Sequence, residues 1–377
     1  MQTPTAPSMA TATAAPPATR SGWIFSPALD LFAFAAPPLL AGLALAIAGR
    51  VGLFHLPTAG FLLAIVLVDV AHVHGTLYRV YLDRSEVLRR PRLYLGTPLA
   101  AFLVGVVLHR WLGAAGFWRA LAYFAVWHFI RQQVGWVALY RARSGEAADP
   151  RRRLDGWLDF ATVYVATLYP LIDWHTRLPR PFVWFTEGDF AAGLPREAAT
   201  YARIVWAVVL AAFVTRQLAL FVRGQSVSVG KVIVVLGTAY AWWLGIVASD
   251  ADFAFTLANV LPHGIPYLVL AIVYGRRRYA DEKAPRAALG RWLVGKSILV
   301  AYFVLAALAL GEEMLWDRWV WHDHLTLFGR GRVLSAAALD WVVPLLALPQ
   351  VTHYVLDGFV WKARSNPDLA RYLRPVR

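Results

Sequence analysis

Apolar stretches of about 20 residues, separated by short polar connections, recur along the whole chain. This pattern predicts membrane-spanning α-helices, because a β-barrel would show short segments of alternating polarity instead. Ten segments fit it: 30–49, 57–82, 94–110, 117–140, 157–174, 201–222, 231–249, 252–275, 292–311 and 336–361. Basic residues gather in every second connection: Arg84, Arg89, Arg90 and Arg92; Arg141, Arg143 and Arg151 to Arg153; Arg223; Arg276 to Arg278, Lys283 and Arg286. The opposite connections are poorer in them, and the one at Asp250 and Asp252 has none. The positive-inside rule then puts both termini in the cytoplasm. The expected fold is an all-α, polytopic transmembrane helical bundle of about ten spans, in the bacterial inner (cytoplasmic) membrane.

Composition agrees, with 59% hydrophobic and only 16% charged residues, outside the range of a soluble globule. The net charge of +14 sits in loops where topology explains it, so membrane lipid rather than nucleic acid is the expected partner. With no cysteine, disulfides and thiolate ligands are excluded. Residues 1–28 are rich in Ala, Pro and Thr, with Arg20 their only charge, and predict a disordered cytoplasmic tail rather than a cleavable signal. Residues 29–361 form the membrane domain and 362–377 a basic cytoplasmic tail. Segment 312–335, dense in Trp and charge, predicts an interfacial stretch along the outer leaflet, and its His322, Asp323 and His324 suggest a surface metal.

Four predicted spans carry histidines: His72 and His74, His128, His263 and His353. Taking His74 for the first pair, they precede the basic residues Arg84, Arg141, Arg276 and Lys362 by 9 to 13 residues. At ~1.5 Å per residue this places one histidine from each span in a common slab. Ionisable groups inside a membrane are costly and usually functional, and a shared multi-histidine site most naturally holds a metal. His55, His109, His175, His322 and His324 map to outer ends and loops, away from that slab.

His72 and His74 point about 200° apart on an ideal helix, so only one faces a common centre. His74, followed by Gly75, is the expected one, with Asp69 and Tyr78 as neighbours; the other histidine bonds another helix or completes a second metal. His128, Arg131 and Gln132 share one face, and Arg131 is read as a substrate anchor or carboxylate partner. Pro262, Gly264 and Pro266 bracket His263 and predict a kinked or opened helix, with Asn259 and Tyr267 on its face. His353 and Asp357 are spaced to act together, the carboxylate orienting the imidazole or ligating beside it.

His74-Gly75, His128-Phe129, His263, and His353 with Asp357 resemble the ordered histidine motifs of the Brp/Blh family of bacterial and archaeal membrane proteins. Its members of known activity cleave β-carotene to retinal with a histidine-bound iron. The motif islands cover about a fifth of the chain. Where the family carries an acidic residue after its HF pair, this chain has Arg131-Gln132-Gln133.

The resemblance and the histidines together imply an integral-membrane non-haem metal oxygenase or oxidase. Iron is expected, with copper as the alternative. The substrate is expected to be hydrophobic and lipid-like, beside Tyr267 and Trp136. Two other classes remain open: a b-type haem electron-transfer protein, with paired histidines as axial ligands, and a transporter using the histidines and Arg131.

Overall fold

The computed structural model describes residues 22–51, 55–281, 288–295, 297–362, 366 and 368–373, and every regular element among them is helical. Seven helices are long and apolar enough to cross a membrane. They are α1 (Pro27–Arg50), α2 (Thr58–Tyr81), α3 (Pro91–Ser144), α5 (Arg196–Val222), α6 (Val229–Val247), α7 (Asp252–Ala280) and α8 (Ile298–Trp321). Between α3 and α5 lies α4 (Arg153–Thr176), and the chain ends with α9 (Ala336–Leu346), α10 (Leu348–Val360) and the short α11 (Asp368–Tyr372).

Seven differs from ten at identifiable places. The predicted segments 94–110 and 117–140 lie in the one 54-residue run of α3, which breaks at Gly113, where φ is +70° and a side chain would be strained. The segments 157–174 and 336–361 correspond to α4, which at 24 residues is long enough but less apolar than the seven, and to the α9–α10 pair, whose helices of 11 and 13 residues are each too short.

Three sequence expectations change. Ordered structure begins before residue 29: Ile24 and Phe25 are buried, and their backbone N–H groups donate to the Asp30 carboxylate at 2.7 and 2.9 Å. The part of the predicted tail before residue 22 lies outside the described residues. The predicted interfacial stretch begins as helix instead, because α8 runs on through Glu312 to Trp321 before the chain turns at His322. There the Asp317 carboxylate accepts the N–H groups of Asp323 and His324, while the His324 ring stacks on Phe61 at 3.8 Å. That geometry builds a turn, and no metal-binding group forms there among the described residues. At the other end, Leu369, Tyr372 and Leu373 of the predicted basic tail are buried with Ile24, Phe25 and Tyr274 in one apolar core.

α2 and α7 approach closely because glycines face the contact. A Cβ on Gly75 would lie 2.9 Å from that of Ala271, and one on Gly264 would lie 2.8 Å from Val68 Cγ1. Beside them, α10 packs on α3. The histidine-bearing segments thus surround one point.

At the far end of α3 sits a buried ion network. Lys231 Nζ donates to Glu146 Oε2 at 2.6 Å and to Asp159 Oδ2 at 3.0 Å, and Arg141 pairs with both carboxylates. Arg152 joins through Glu146 and Asp155. Arg141 and Arg152, which the sequence offers only as topology markers, therefore also fasten α3, α4 and α6 together.

Candidate metal centre

α2 does not follow ideal α-geometry. Its Phe61–Val70 stretch has wide turns with i→i+5 hydrogen bonds, and regular turns resume only at Ala71. Wide turns reset the angular phase of everything after them. The outcome is that His72, not His74, joins the other three histidines. His72 is 2% exposed and its ring lies 4.7 Å from that of His263 and 5.0 Å from that of His353. His74 turns away, its Nε2 lying 3.0 Å from Glu312 Oε2 on α8. The family-like pairing His74-Gly75 thus has its glycine at the α2–α7 contact and its histidine outside the cluster.

From α3, His128 is 3% exposed, with its ring 5.1 Å from His263 and 4.7 Å from His353. The Nε2 atoms of His128 and His353 are 3.2 Å apart. Two nitrogens on one metal ion, with bonds of ~2.1 Å, lie roughly 3.0–3.4 Å apart. The groups His72–His128–His263 and His128–His353–Asp357 each offer ligand atoms within 4.8 Å of one another, sharing His128.

The expected opening of the helix at His263 does not occur. α7 is continuous there, and its wide turns fall one turn earlier, at Thr256–Val260. Phe129 stacks on the His263 ring at 3.6 Å and 7°, and Tyr354 on the His128 ring at 4.4 Å and 23°, so aromatic faces fix both imidazoles.

Hydrogen bonding separates the four. Thr76 Oγ1 bonds His353 Nδ1 at 2.9 Å, which leaves Nε2 toward the centre. That orienting role was expected of Asp357. Asp357 lies instead on the Nε2 side, its Oδ2 3.9 Å from His353 Nε2 and 4.0 Å from His128 Nε2. Its Oδ1 accepts from Tyr267 Oη at 2.7 Å and Trp361 Nε1 at 3.1 Å. Neither ring nitrogen of His263 has a hydrogen-bond partner, nor has His72 Nε2; His72 Nδ1 lies 3.4 Å from Asp69 Oδ1, on the side of the Val68 and Asp69 backbone. A buried polar group without a partner costs about 1–3 kcal/mol, so orphaned nitrogens here call for a ligand.

Three expected participants stand elsewhere. Arg131 is exposed on the outside of the bundle, where it donates to Tyr164 Oη. Trp136 packs on Phe34 at 5.0 Å in the inner core. Asn259 lines a small cavity with Gln133, Thr238 and Trp242, rather than facing the histidines. Tyr267 is at the site, its ring 4.7 Å from His353 and 5.5 Å from His72. Sequence reasoning missed Thr76, Tyr354 and Trp361, and the only signal for them was helical spacing, Thr76 four residues after His72, Tyr354 three before Asp357 and Trp361 four after it. The peripheral histidines stay peripheral: His109 pairs with Asp340 and His175 with Tyr123.

A scan of protein-family models and searches of curated proteins and of solved structures found no match to this chain.

Proposed function

We propose that this chain is a multi-pass integral-membrane metalloprotein, a non-haem iron oxygenase or oxidase acting on a hydrophobic, lipid-like substrate. The observation that carries the reading is four buried imidazoles from four helices, His72 and His128 each against both His263 and His353, with nitrogens of His72 and His263 left unpartnered. His72, His128, His263 and His353 would hold the ion through neutral imidazole, which suits iron or copper. Asp357 lies close enough to complete the set or to bond a bound group. Tyr267 and Trp361 hold its other oxygen, and Phe129 and Tyr354 wall the site against water. A bound redox metal would supply activation of dioxygen, and the protein's groups fix the ion's position and exclude solvent.

The 3.2 Å separation of His128 and His353 argues against haem b. At that separation the two imidazoles leave no room for a macrocycle between them. The resemblance to Brp/Blh proteins makes a carotenoid the first substrate to try. The same reading takes the break at Gly113, α4 and the α9–α10 pair as the remaining crossings. That gives ten spans with both termini cytoplasmic, in a bacterial inner membrane.

The test is elemental analysis with a visible spectrum on detergent-purified wild type and His263→Ala. Stoichiometric iron or copper without a Soret band, lost in the variant, supports the reading; carotenoid turnover to an aldehyde then tests the substrate. A Soret band, or no metal in either protein, refutes it.

A further inference from the structure

The outward side of α3 carries Tyr123, Trp127, Arg131 and Gly135, four exposed residues at i, i+4 spacing. Arg131 is the only charged member. Its guanidinium lies 5.6 Å from the Trp127 ring and donates to Tyr164 Oη of α4 at 2.6 Å. No carboxylate among the described residues is within ion-pair distance of it. The buried cations contrast with it. Arg79 pairs with Glu86, Arg141 and Lys231 with Glu146 and Asp159, Arg180 with Asp250, and Arg278 with Asp83.

Depth makes the missing partner costly. Eight residues before Arg131, Tyr123 bonds His175 and the Ala191 N–H at one end of the bundle. Ten residues after it, Arg141 enters the ion network at the other end. The two ends are about 12 and 15 Å from Arg131 along the helix axis. On the membrane reading, this sets the guanidinium near the middle of a ~30 Å hydrocarbon layer, beyond the reach of snorkelling. A lone mid-membrane cation is costly.

The described residues supply no anion, which points outside the chain. Phospholipid phosphates stay at the interface. A second copy offers no good match, since none of the carboxylates at this depth, Asp69, Glu312, Glu313 and Asp357, is exposed on the outer surface. Below Arg131 the surface is made of small residues: Gly135 and Ala138 on α3 and Ala161 on α4 are exposed, and a Cβ on Gly135 would meet nothing within 4 Å. Small residues let a helix backbone come close, where an interhelical polar contact forms in lipid.

We propose that the α3–α4 groove at Arg131 is a docking site for a separate transmembrane helix carrying an aspartate or glutamate near its middle. Tyr164 holds the guanidinium across the groove, and Gly135, Ala138 and Ala161 admit the partner's backbone.

A synthetic apolar transmembrane helix with one central Asp, and versions with Leu or Lys, report on this by energy transfer to the labelled full-length protein in lipid nanodiscs. The Asp helix is expected to bind wild type about tenfold more tightly than the Leu helix, with that preference lost in Arg131→Gln. Arg131→Asp is expected to transfer the preference to the Lys helix, a rescue that misfolding does not produce. Equal binding of Asp and Leu helices overturns the proposal. So does self-association that depends on Arg131, or displacement of the Asp helix by a fatty acid but not by its methyl ester. Carbonate extraction of native membranes tests the membrane reading separately.

Discussion

His128 Nε2 and His353 Nε2 face each other across 3.2 Å, though 225 residues separate them in the chain. Two unprotonated nitrogens at that distance repel. A shared proton or a shared cation removes the repulsion, and the nearby His72 and His263, with nitrogens left over, favour the cation.

His72→Ala and His74→Ala are expected to differ sharply. The first removes a cluster member and should abolish stoichiometric metal. The second breaks only the pair with Glu312 and should leave metal content near wild type. Elemental analysis of the two purified variants decides it, and equal retention would sink the assignment of His72.

Tyr267→Phe and Thr76→Val leave the four imidazoles in place but remove the groups that orient Asp357 and His353. Loss of such supporting hydrogen bonds typically lowers metal affinity about 10–100-fold. Competition with a chelator of known affinity measures it, and unchanged affinity in both variants would show that neither bond supports the site.

Metal removal should also destabilise the protein. An ion bound only by the folded state stabilises by about 4 kcal/mol at a thousandfold excess over its dissociation constant. Chelation should therefore lower the apparent Tm of wild type but not of His263→Ala. Equal shifts in both would place the effect elsewhere.

Lys231→Met leaves Glu146 and Asp159 short of a buried cation and should cost about 3–5 kcal/mol. The double change of Lys231 and Glu146 to apolar residues should recover part of that. Thermal unfolding in detergent reports both.

Acid sensitivity should involve Glu86, in the connection between α2 and α3. Burial alone would raise its carboxyl, but Arg79, the Tyr94 hydroxyl and Arg89 more than offset this and hold it below the ordinary 4.5. A depressed carboxyl adds stability that is full above its unfolded value and lost as pH falls through the folded one. Glu86→Gln should therefore be less stable near neutrality, and its stability should fall less than that of wild type as pH drops below about 4.5. Parallel stability curves would rule Glu86 out.

Much of the site was legible because each feature had a local cause. Runs of apolar residues long enough to bridge hydrocarbon are written directly in the chain, and a histidine in such a run is conspicuous. His128, His263, His353, Asp357 and Tyr267 were found that way. Arg131 was equally conspicuous and was misplaced, because sharing a helix face with Gln132 does not say which neighbour that face meets.

What the sequence by itself determined was the helical class, the apolar segments and the histidines they carry, since length and polarity are properties of single segments. The tertiary structure alone decided that His72 enters the cluster, that Thr76 rather than Asp357 orients His353, and that Arg141 and Arg152 are buried partners of carboxylates. Those outcomes depend on helix phase and on which helices touch. Phase accumulates every departure from 3.6 residues per turn, as in Phe61–Val70, and touching depends on close approaches such as Gly75 against Ala271. Neither quantity is carried by any one segment.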